Sequence, residues 1–270
     1  MAGLKGIKII VACFAVTACG TSSNTQRTLS IHDNTRIEQG LSHGEPYQFN
    51  MVSGFTRRGE LAQRFEIKHG DCGRSHVYDD CANDRGRVER KEHPKNVFSE
   101  PGEGVWYGYS IYIPADFVSL GRANTHLSQA KVEGEDYPIW QLTFNDHPYV
   151  LFSDGETCST GSMEMWRGRW NDVTVYADYS DSGQSIYFKL YRNGRLLCDR
   201  RTPIMHQNMW GRRQKIGFKY GIYNSFVSRY LDSSGALPTH VIFYDEMSAG
   251  NRRRDVDVRM REAAGLPPMD

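Results

Sequence analysis

Val105-Trp-Tyr-Gly-Tyr-Ser-Ile-Tyr-Ile113, stopped at once by Pro114, is the stretch on which the fold turns. Aromatic and β-branched residues suit a pleated, partly buried surface, and proline ends the ladder because it has no N–H to give. Downstream, Asp172-Val-Thr-Val-Tyr-Ala-Asp-Tyr179 alternates, and Gln184 to Tyr191 does so again after the turn Ser180-Asp-Ser-Gly183. Asn193-Gly194 then falls between Tyr191 and Leu196, the strongest short-range hairpin signal a sequence offers. Further strands are expected over Tyr47–Val52, Leu61–Lys68, Arg87–Lys91, Ala123–Lys131, Pro138–Phe144, Tyr149–Phe152, Lys215–Tyr223 and His240–Asp245. Helix is expected only near Val256–Ala264 and Ile37–Leu41. About a dozen short strands with turns between them predict an all-β fold, two antiparallel sheets packed as a sandwich.

The N-terminus reads as an export signal. Lys5 and Lys8 precede a short apolar run, Ile9 to Val16, too short to span a bilayer. Val16-Thr17-Ala18-Cys19 resembles a bacterial lipoprotein signal, which implies removal of residues 1–18 and acylation of Cys19; an ordinary cleaved signal peptide is the alternative. Gly20 stands where an aspartate would signal inner-membrane retention, so the expected home is the cell envelope, as an outer-membrane lipoprotein or in the periplasm. The membrane would be met only through the lipid on Cys19. Gly20 to Thr28 is small and polar, a tether, within a lipidated N-terminal segment 19–40. Residues 41–270, roughly 230 of them, suit a single β domain acting as a monomer.

The chain has 33 Lys+Arg against 32 Asp+Glu; without Lys5 and Lys8, 31 remain against 32, a net of −1. That balance excludes a basic field for nucleic acid, so an anionic ligand must be met by a local cationic groove. Of six cysteines, Cys13 leaves with the signal and Cys19 carries lipid. Cys72, Cys81, Cys158 and Cys198 remain for an oxidising compartment. Three pairings are open; Cys72–Cys81, pinning a local loop, with Cys158–Cys198 is the expected one. Neither pair has metal-type CxxC spacing, and no HExxH helix accompanies them, so no metal site is expected.

Three strands carry charge where a core strand would not. In Arg87-Val-Glu-Arg-Lys91, alternation puts Arg87, Glu89 and Lys91 on one face, costly unless that face is wet or paired. In Ser128-Gln-Ala-Lys131, Gln129 and Lys131 share a face. In Lys215-Ile-Gly-Phe-Lys-Tyr-Gly-Ile-Tyr223-Asn224, Lys219, Gly221 and Tyr223 face one way, and Phe218, Tyr220 and Ile222 face the core. Gly221 leaves room for close approach to the backbone.

Arg-x-Glu, Gln-x-His and Phe-Lys-x-Gly-x-Tyr-Asn, in that order, are similar to the active-site strands of jelly-roll alginate lyases. Trp106-Tyr-Gly-Tyr-Ser-Ile-Tyr-Ile-Pro-Ala-Asp-Phe117, Trp170-Asn-Asp-Val-Thr-Val and Tyr191-Arg-Asn-Gly194 resemble the heparin lyase I-like polysaccharide lyases. The resemblance runs from about Tyr47 to Met247 and implies a concanavalin-like jelly roll with a concave groove. It also implies β-elimination on a uronate-containing, acidic polysaccharide, with no cofactor; structural calcium is compatible with such an architecture, but no acidic loop shows a ligand pattern. By position, Arg87 matches the substrate-carboxylate arginine, Gln129 its glutamine partner and Tyr223 the catalytic tyrosine. Lys219 matches the groove lysine, and Glu89, Lys91 and Asn224 lie beside these as binding residues.

The chain departs from the family at the histidine of Gln-x-His, where it has Lys131. Candidate bases are therefore Tyr223 itself, Lys131, His147 on a connecting loop, or His126. Regular alternation puts His126, three residues before Gln129, on the opposite face. Nearby cations are expected to lower the pKa of Tyr223. Two other classes compete: a glycan-binding lectin-like domain without catalysis, and a sandwich glycosidase, which needs two carboxylates across the scissile bond. Glu133, Glu135 and Asp136 read instead as a solvated loop, and Arg252-Arg253-Arg254, followed by Asp255 and Asp257, as a surface segment.

Overall fold

The computed structural model describes residues 28–30, 35–38, 44–76, 78–92, 103–133, 138–181, 185–203 and 215–269. The residues expected to form an export signal lie outside them, as do Cys19, Glu135 and Asp136. Among the described residues no helix is long and apolar enough to cross a membrane.

The strands are β1 (Thr28–Ser30), β2 (Thr35–Ile37), β3 (Phe49–Ser53), β4 (Leu61–Ile67), β5 (Arg85–Glu92), β6 (Gly104–Ile113), β7 (Asn124–Val132) and β8 (Pro138–Phe144). They continue as β9 (Tyr149–Phe152), β10 (Thr157–Ser159), β11 (Arg169–Asp181), β12 (Ser185–Arg192), β13 (Arg195–Pro203), β14 (Ile216–Ser225) and β15 (His240–Gly250). One antiparallel sheet runs β13-β12-β11-β6-β15-β4-β3, with β1 added to β15; the other runs β10-β9-β8-β7-β14-β5-β2. Short helices α1 (Ser228–Ser234), α2 (Arg253–Val256) and α3 (Val258–Ala263) follow β14 and β15. The expected all-β jelly-roll sandwich is the observed fold. Of the segment expected as helix, Ile37–Leu41, Ile37 ends strand β2, which pairs with β5 through Arg36 and Lys91, and residues 39–41 lie outside the described residues. β1 and β2 both belong to the N-terminal segment, yet they are laid into the two sheets.

The interior is an aromatic stack between the sheets. Tyr107 of β6 lies flat on Phe218 of β14 with centroids 4.4 Å apart, and Tyr220 meets Tyr244 edge-on at 5.2 Å. Its polar tips are satisfied: Trp140 Nε1 donates to the Tyr179 hydroxyl at 3.0 Å, and the Tyr109 and Ser128 hydroxyls are 2.8 Å apart. The hairpin turn has Asn193 and Gly194 both at positive φ, 49° and 81°, the two-residue geometry that matches strand twist.

Both expected disulfides are present. Cys158 on β10 and Cys198 on β13 join the outermost strands of the two sheets across a separation of 40 residues. Closing a loop of that length restricts the unfolded chain by about 4 kcal/mol. Cys72–Cys81 spans 9 residues in the connection from β4 to β5 and fixes the segment that carries Asp80. The basic run is tied down locally, Arg252 to Asp255 at 2.6 Å and Arg253 to Asp257 at 3.0 Å, with Arg253 over the Tyr191 ring.

Two buried histidines make the fold acid-sensitive. His240 stacks on Phe117 at 4.4 Å and bonds the Val118 carbonyl; burial lowers its pKa from the usual 6.5 to about 4. His126 is lowered further, to about 3, first by burial and then by Arg85 and Arg87. A depressed folded-state pKa means stability that is whole above pH 6.5 and lost as pH falls toward the folded value. Between pH 7.5 and pH 5 each histidine should withdraw about 2 kcal/mol, at about 1.4 kcal/mol per unit. Urea unfolding at the two pH values should show His240→Phe losing about 2 kcal/mol less on acidification than the parent; equal losses contradict this.

Candidate active site

The outer face of the second sheet carries the polar side chains that the sequence singled out. On β14, Phe218, Tyr220 and Ile222 are buried in the core, while Lys219 and Tyr223 project the other way, as alternation requires. Arg87 on β5 stands directly opposite Tyr223, and Lys91 opposite Lys219.

On the other flank of β14 the ladder is irregular. Gln129 pairs with Lys219 and Ser128 with Tyr220, but the next match is His126 with Tyr223. Against β8 the irregularity falls between His126 and Ser128, which face Thr143 and Leu142 in turn. Leu127 is in the core and the neighbouring Ser128 bonds Tyr109 there, so two successive side chains point inward. This bulge returns His126 to the outer face, against the regular-strand expectation. Its ring lies 5.3 Å from that of Tyr223, centroid to centroid. Nδ1 is 2.9 Å from Thr143 Oγ1 and Nε2 is 3.1 Å from Ser225 Oγ, so two hydroxyls fix its orientation.

Gly221 is what allows β14 to bend here. Its φ is +134°, and a Cβ on it would meet the Val88 carbonyl at 2.3 Å and Glu89 Cα at 2.9 Å. The close approach foreseen at this glycine is made by β5. The Tyr244 hydroxyl braces the same spot from within, against the carbonyls of Leu127 and Gly221.

Arg87, Tyr223, His126, Thr143 and Tyr149 thus form one row across β5, β14, β7, β8 and β9. Next to it, Asn124 of β7 accepts a hydrogen bond from the Tyr149 hydroxyl at 3.3 Å. Asn124-Thr-His126 repeats the amide-x-histidine spacing five residues upstream of Gln129, with asparagine for glutamine. That spacing was the available signal for His126; only the bulge makes it count.

The other candidates lie elsewhere. Gln129 is 3 % exposed and donates to Glu89 at 2.6 Å; its partner Lys219 is about 13 Å along β14 from Tyr223. Lys131 pairs with Gly217, about 20 Å from Tyr223 along the strand. His147 is exposed in the β8–β9 turn. Asn224 faces inward and accepts from Thr125 at 2.8 Å. Lys91 is paired with Glu133 at 3.0 Å.

Charge in this face is largely self-compensated. Arg87 donates Nε and Nη2 to the two oxygens of Asp80 at 2.6 and 2.7 Å, and its Nη1 lies 3.5 Å from Glu89 and 3.6 Å from Glu38. Lys219 grips Glu38 at 2.8 and 2.9 Å. Burial alone would raise the Glu38 carboxyl, but Lys219 and Arg87 overcome it and hold the pKa at about 2. The guanidinium of Arg87 also sits over the Tyr223 ring, 4.3 Å from its centroid. Even so, burial wins over Arg87 and Arg85, and the Tyr223 pKa is raised to about 12 rather than lowered.

A sequence profile described as polysaccharide lyase matches residues 23–248. The chain belongs to the polysaccharide lyase family. It is therefore an enzyme, a carbon–oxygen lyase acting on polysaccharides. No curated protein matches it in sequence. Among solved structures, the lyase is similar to an endo-β-1,4-glucuronan lyase from the fungus Trichoderma reesei, with TM-score 0.56 and 16 % identity over 83 % of this chain and 93 % of that one. It is also similar to a family 7 alginate lyase, A1-II′, solved with substrate as a variant carrying histidine-to-asparagine and tyrosine-to-phenylalanine replacements. The TM-score is 0.51 and identity 14 %, over 79 % of this chain and 85 % of that one. A glycoside hydrolase family 131 catalytic domain from Coprinopsis cinerea shares the fold too, with TM-score 0.55 and 10 % identity over 82 % and 86 %. The fold is thus common to lyases and a hydrolase, and it is the family match that identifies the chain as a lyase.

Replacing Gly221 tests the geometry that joins Tyr223 to His126. Gly221→Ala should lower stability by about 2–4 kcal/mol in urea unfolding, because the methyl meets backbone and the left-handed φ is strained. A change below about 0.5 kcal/mol would show that the strand does not need the glycine.

Proposed function

We propose that the lyase cleaves a uronate-containing polysaccharide by β-elimination at the Tyr223–His126 pair. The observation that carries this reading is the side-by-side placement of two proton-handling groups whose environments push their pKa values apart, to about 12 and about 3. At neutral pH His126 is an uncharged imidazole able to accept a proton, and Tyr223 is an intact phenol able to give one. Ionising Tyr223 at pH 7 would cost about 7 kcal/mol, so it enters as an acid.

In the proposed step His126 takes the C5 proton of the uronate. The electron pair of that C–H bond forms the C4=C5 double bond, the C4–O4 bond breaks, and the departing oxygen receives the Tyr223 proton. An anionic sugar beside the imidazole raises its proton affinity as it binds. Ser225, a rotatable hydroxyl, is the partner that yields when Nε2 is used. The amide of Asn124, held by Tyr149, supplies a neutral donor beside the carboxylate. Arg87, whose Nε and Nη2 are engaged by Asp80, contributes its positive charge over the Tyr223 ring and reaches a substrate directly only when Asp80 releases it. Similarity to a glucuronan lyase and to an alginate lyase solved with substrate as a histidine and tyrosine variant supports a reading in which these two residue types act on the polymer.

Incubation with purified polyglucuronate, polymannuronate and polyguluronate should give an unsaturated product absorbing in the ultraviolet. Tyr223→Phe should fold and bind polymer while turnover falls at least about 100-fold, the range of general acid–base catalysis. Near-normal turnover removes Tyr223 from the chemistry. Binding without product in the parent protein would favour a lectin-like role.

The pH dependence has a sign fixed by the same two groups. Because kcat/KM reports the free enzyme, it should be flat from about pH 5 to pH 9, with no limb at an ordinary histidine pKa near 6.5. A limb there contradicts the buried, uncharged His126.

A further inference from the structure

Past the end of β14, two arginines gather on one aromatic ring. Phe226 directly follows β14 and has φ 58°, a left-handed conformation unusual for a bulky residue. The guanidinium carbon of Arg85 lies 4.2 Å from its ring centroid and that of Arg229 4.1 Å, so the two charges are at most about 8 Å apart. Asp84, at φ 59° on the neighbouring strand end, locks the corner. Its carboxylate accepts from the Ser228 backbone N–H at 2.7 Å and the Ser228 hydroxyl at 2.8 Å. That carboxylate is thereby spent on α1.

Neither arginine has a carboxylate within salt-bridge distance among the described residues. Arg85 Nη1 donates to the Asp84 carbonyl at 3.2 Å, and Arg229 Nη1 to the Arg122 carbonyl at 3.5 Å. Arg85 Nε is buried with no hydrogen-bond partner among the described residues. This differs sharply from Arg87 and Lys219, whose carboxylates are built in. Arg85 is also close to the reacting pair. It stands opposite Ser225, the residue that holds His126 Nε2, and two residues along the same face from Arg87, about 7 Å. Two like charges held together on a half-buried ring repel, and an anion between or beside them relieves that repulsion.

We propose that Arg85 and Arg229, gathered on Phe226, form a carboxylate-binding subsite that takes the uronate next to the one being cleaved. The proposal rests on the elimination reading and narrows its substrate class. An enzyme with cations waiting at the neighbouring position selects runs of consecutive uronates over chains in which uronate alternates with neutral sugar. Phe226, strained but fixed by Asp84 and Ser228, is the platform that holds both guanidinium planes.

The test uses the full chain carrying Tyr223→Phe, which separates binding from turnover. Its affinity for polyglucuronate, polymannuronate and polyguluronate is measured by calorimetry at low salt. At least one polymer should bind, and adding Arg229→Gln, at an exposed position, should weaken that polymer about five- to ten-fold without changing the melting temperature. Adding Arg85→Gln should act in the same direction, and raising salt should narrow both gaps. The subsite is overturned if both additional variants bind as tightly as Tyr223→Phe alone, if the loss is equal on the carboxyl-reduced form of the polymer, or if none of the three polymers binds. Formation of unsaturated product by the unmodified lyase tests the elimination reading separately, so product together with arginine-independent binding sinks the subsite alone.

Discussion

The backbone irregularity where β7 meets β14 decides which side chains can work together on this sheet. In an unbroken ladder His126 would point into the core and Tyr223 would face a residue without acid–base chemistry. The bulge at Leu127 and Ser128 turns two side chains inward in succession, and the left-handed Gly221 lets β14 follow. A hydroxyl from the opposite sheet, that of Tyr244, secures both carbonyls at the irregularity. The core therefore does more than stabilise the sandwich: it holds the phase of side chains on the far side of the sheet.

Electrostatics on that face divides into two zones. Along β5 and the lower part of β14, cations are matched by carboxylates from the N-terminal segment, the disulfide-pinned loop and β5 itself, which is how charged strands can be buried at all. Beyond Tyr223, toward Phe226, Arg85 and Arg229 have no carboxylate within salt-bridge distance among the described residues. On the proposed reading Arg85 and Arg229 attract an anionic polymer there, while the carboxylate of that corner, Asp84, is turned to Ser228. Burial, meanwhile, favours the neutral phenol and the neutral imidazole, so on the proposed reading an anionic sugar meets an intact proton donor and acceptor.

Much of this was legible in the amino-acid order. The strand at Val105–Ile113, the Asn193-Gly194 hairpin and the two faces of β14 follow from local rules of alternation and turn chemistry, and the observed cysteine pairing is the one favoured among three open ones. The very short strands β1, β2 and β10 carry too little pattern to announce themselves. Regular alternation puts His126 on the opposite face from Gln129, because a bulge leaves no mark on simple period-two counting. The Asp80 clamp on Arg87 depends on a loop folded back by a disulfide, which strand periodicity does not describe. The cations near Tyr223 are visible in the sequence and predict a lowered pKa, whereas the burial that raises it is not visible there.

The most direct test of the account is a crystal structure of the Tyr223→Phe protein with a uronate oligosaccharide. A sugar ring lying across the row of Arg87, position 223 and His126, with its C5 hydrogen turned toward the imidazole, is the predicted result. An oligosaccharide seated on another face, or an imidazole turned into the core, would contradict it.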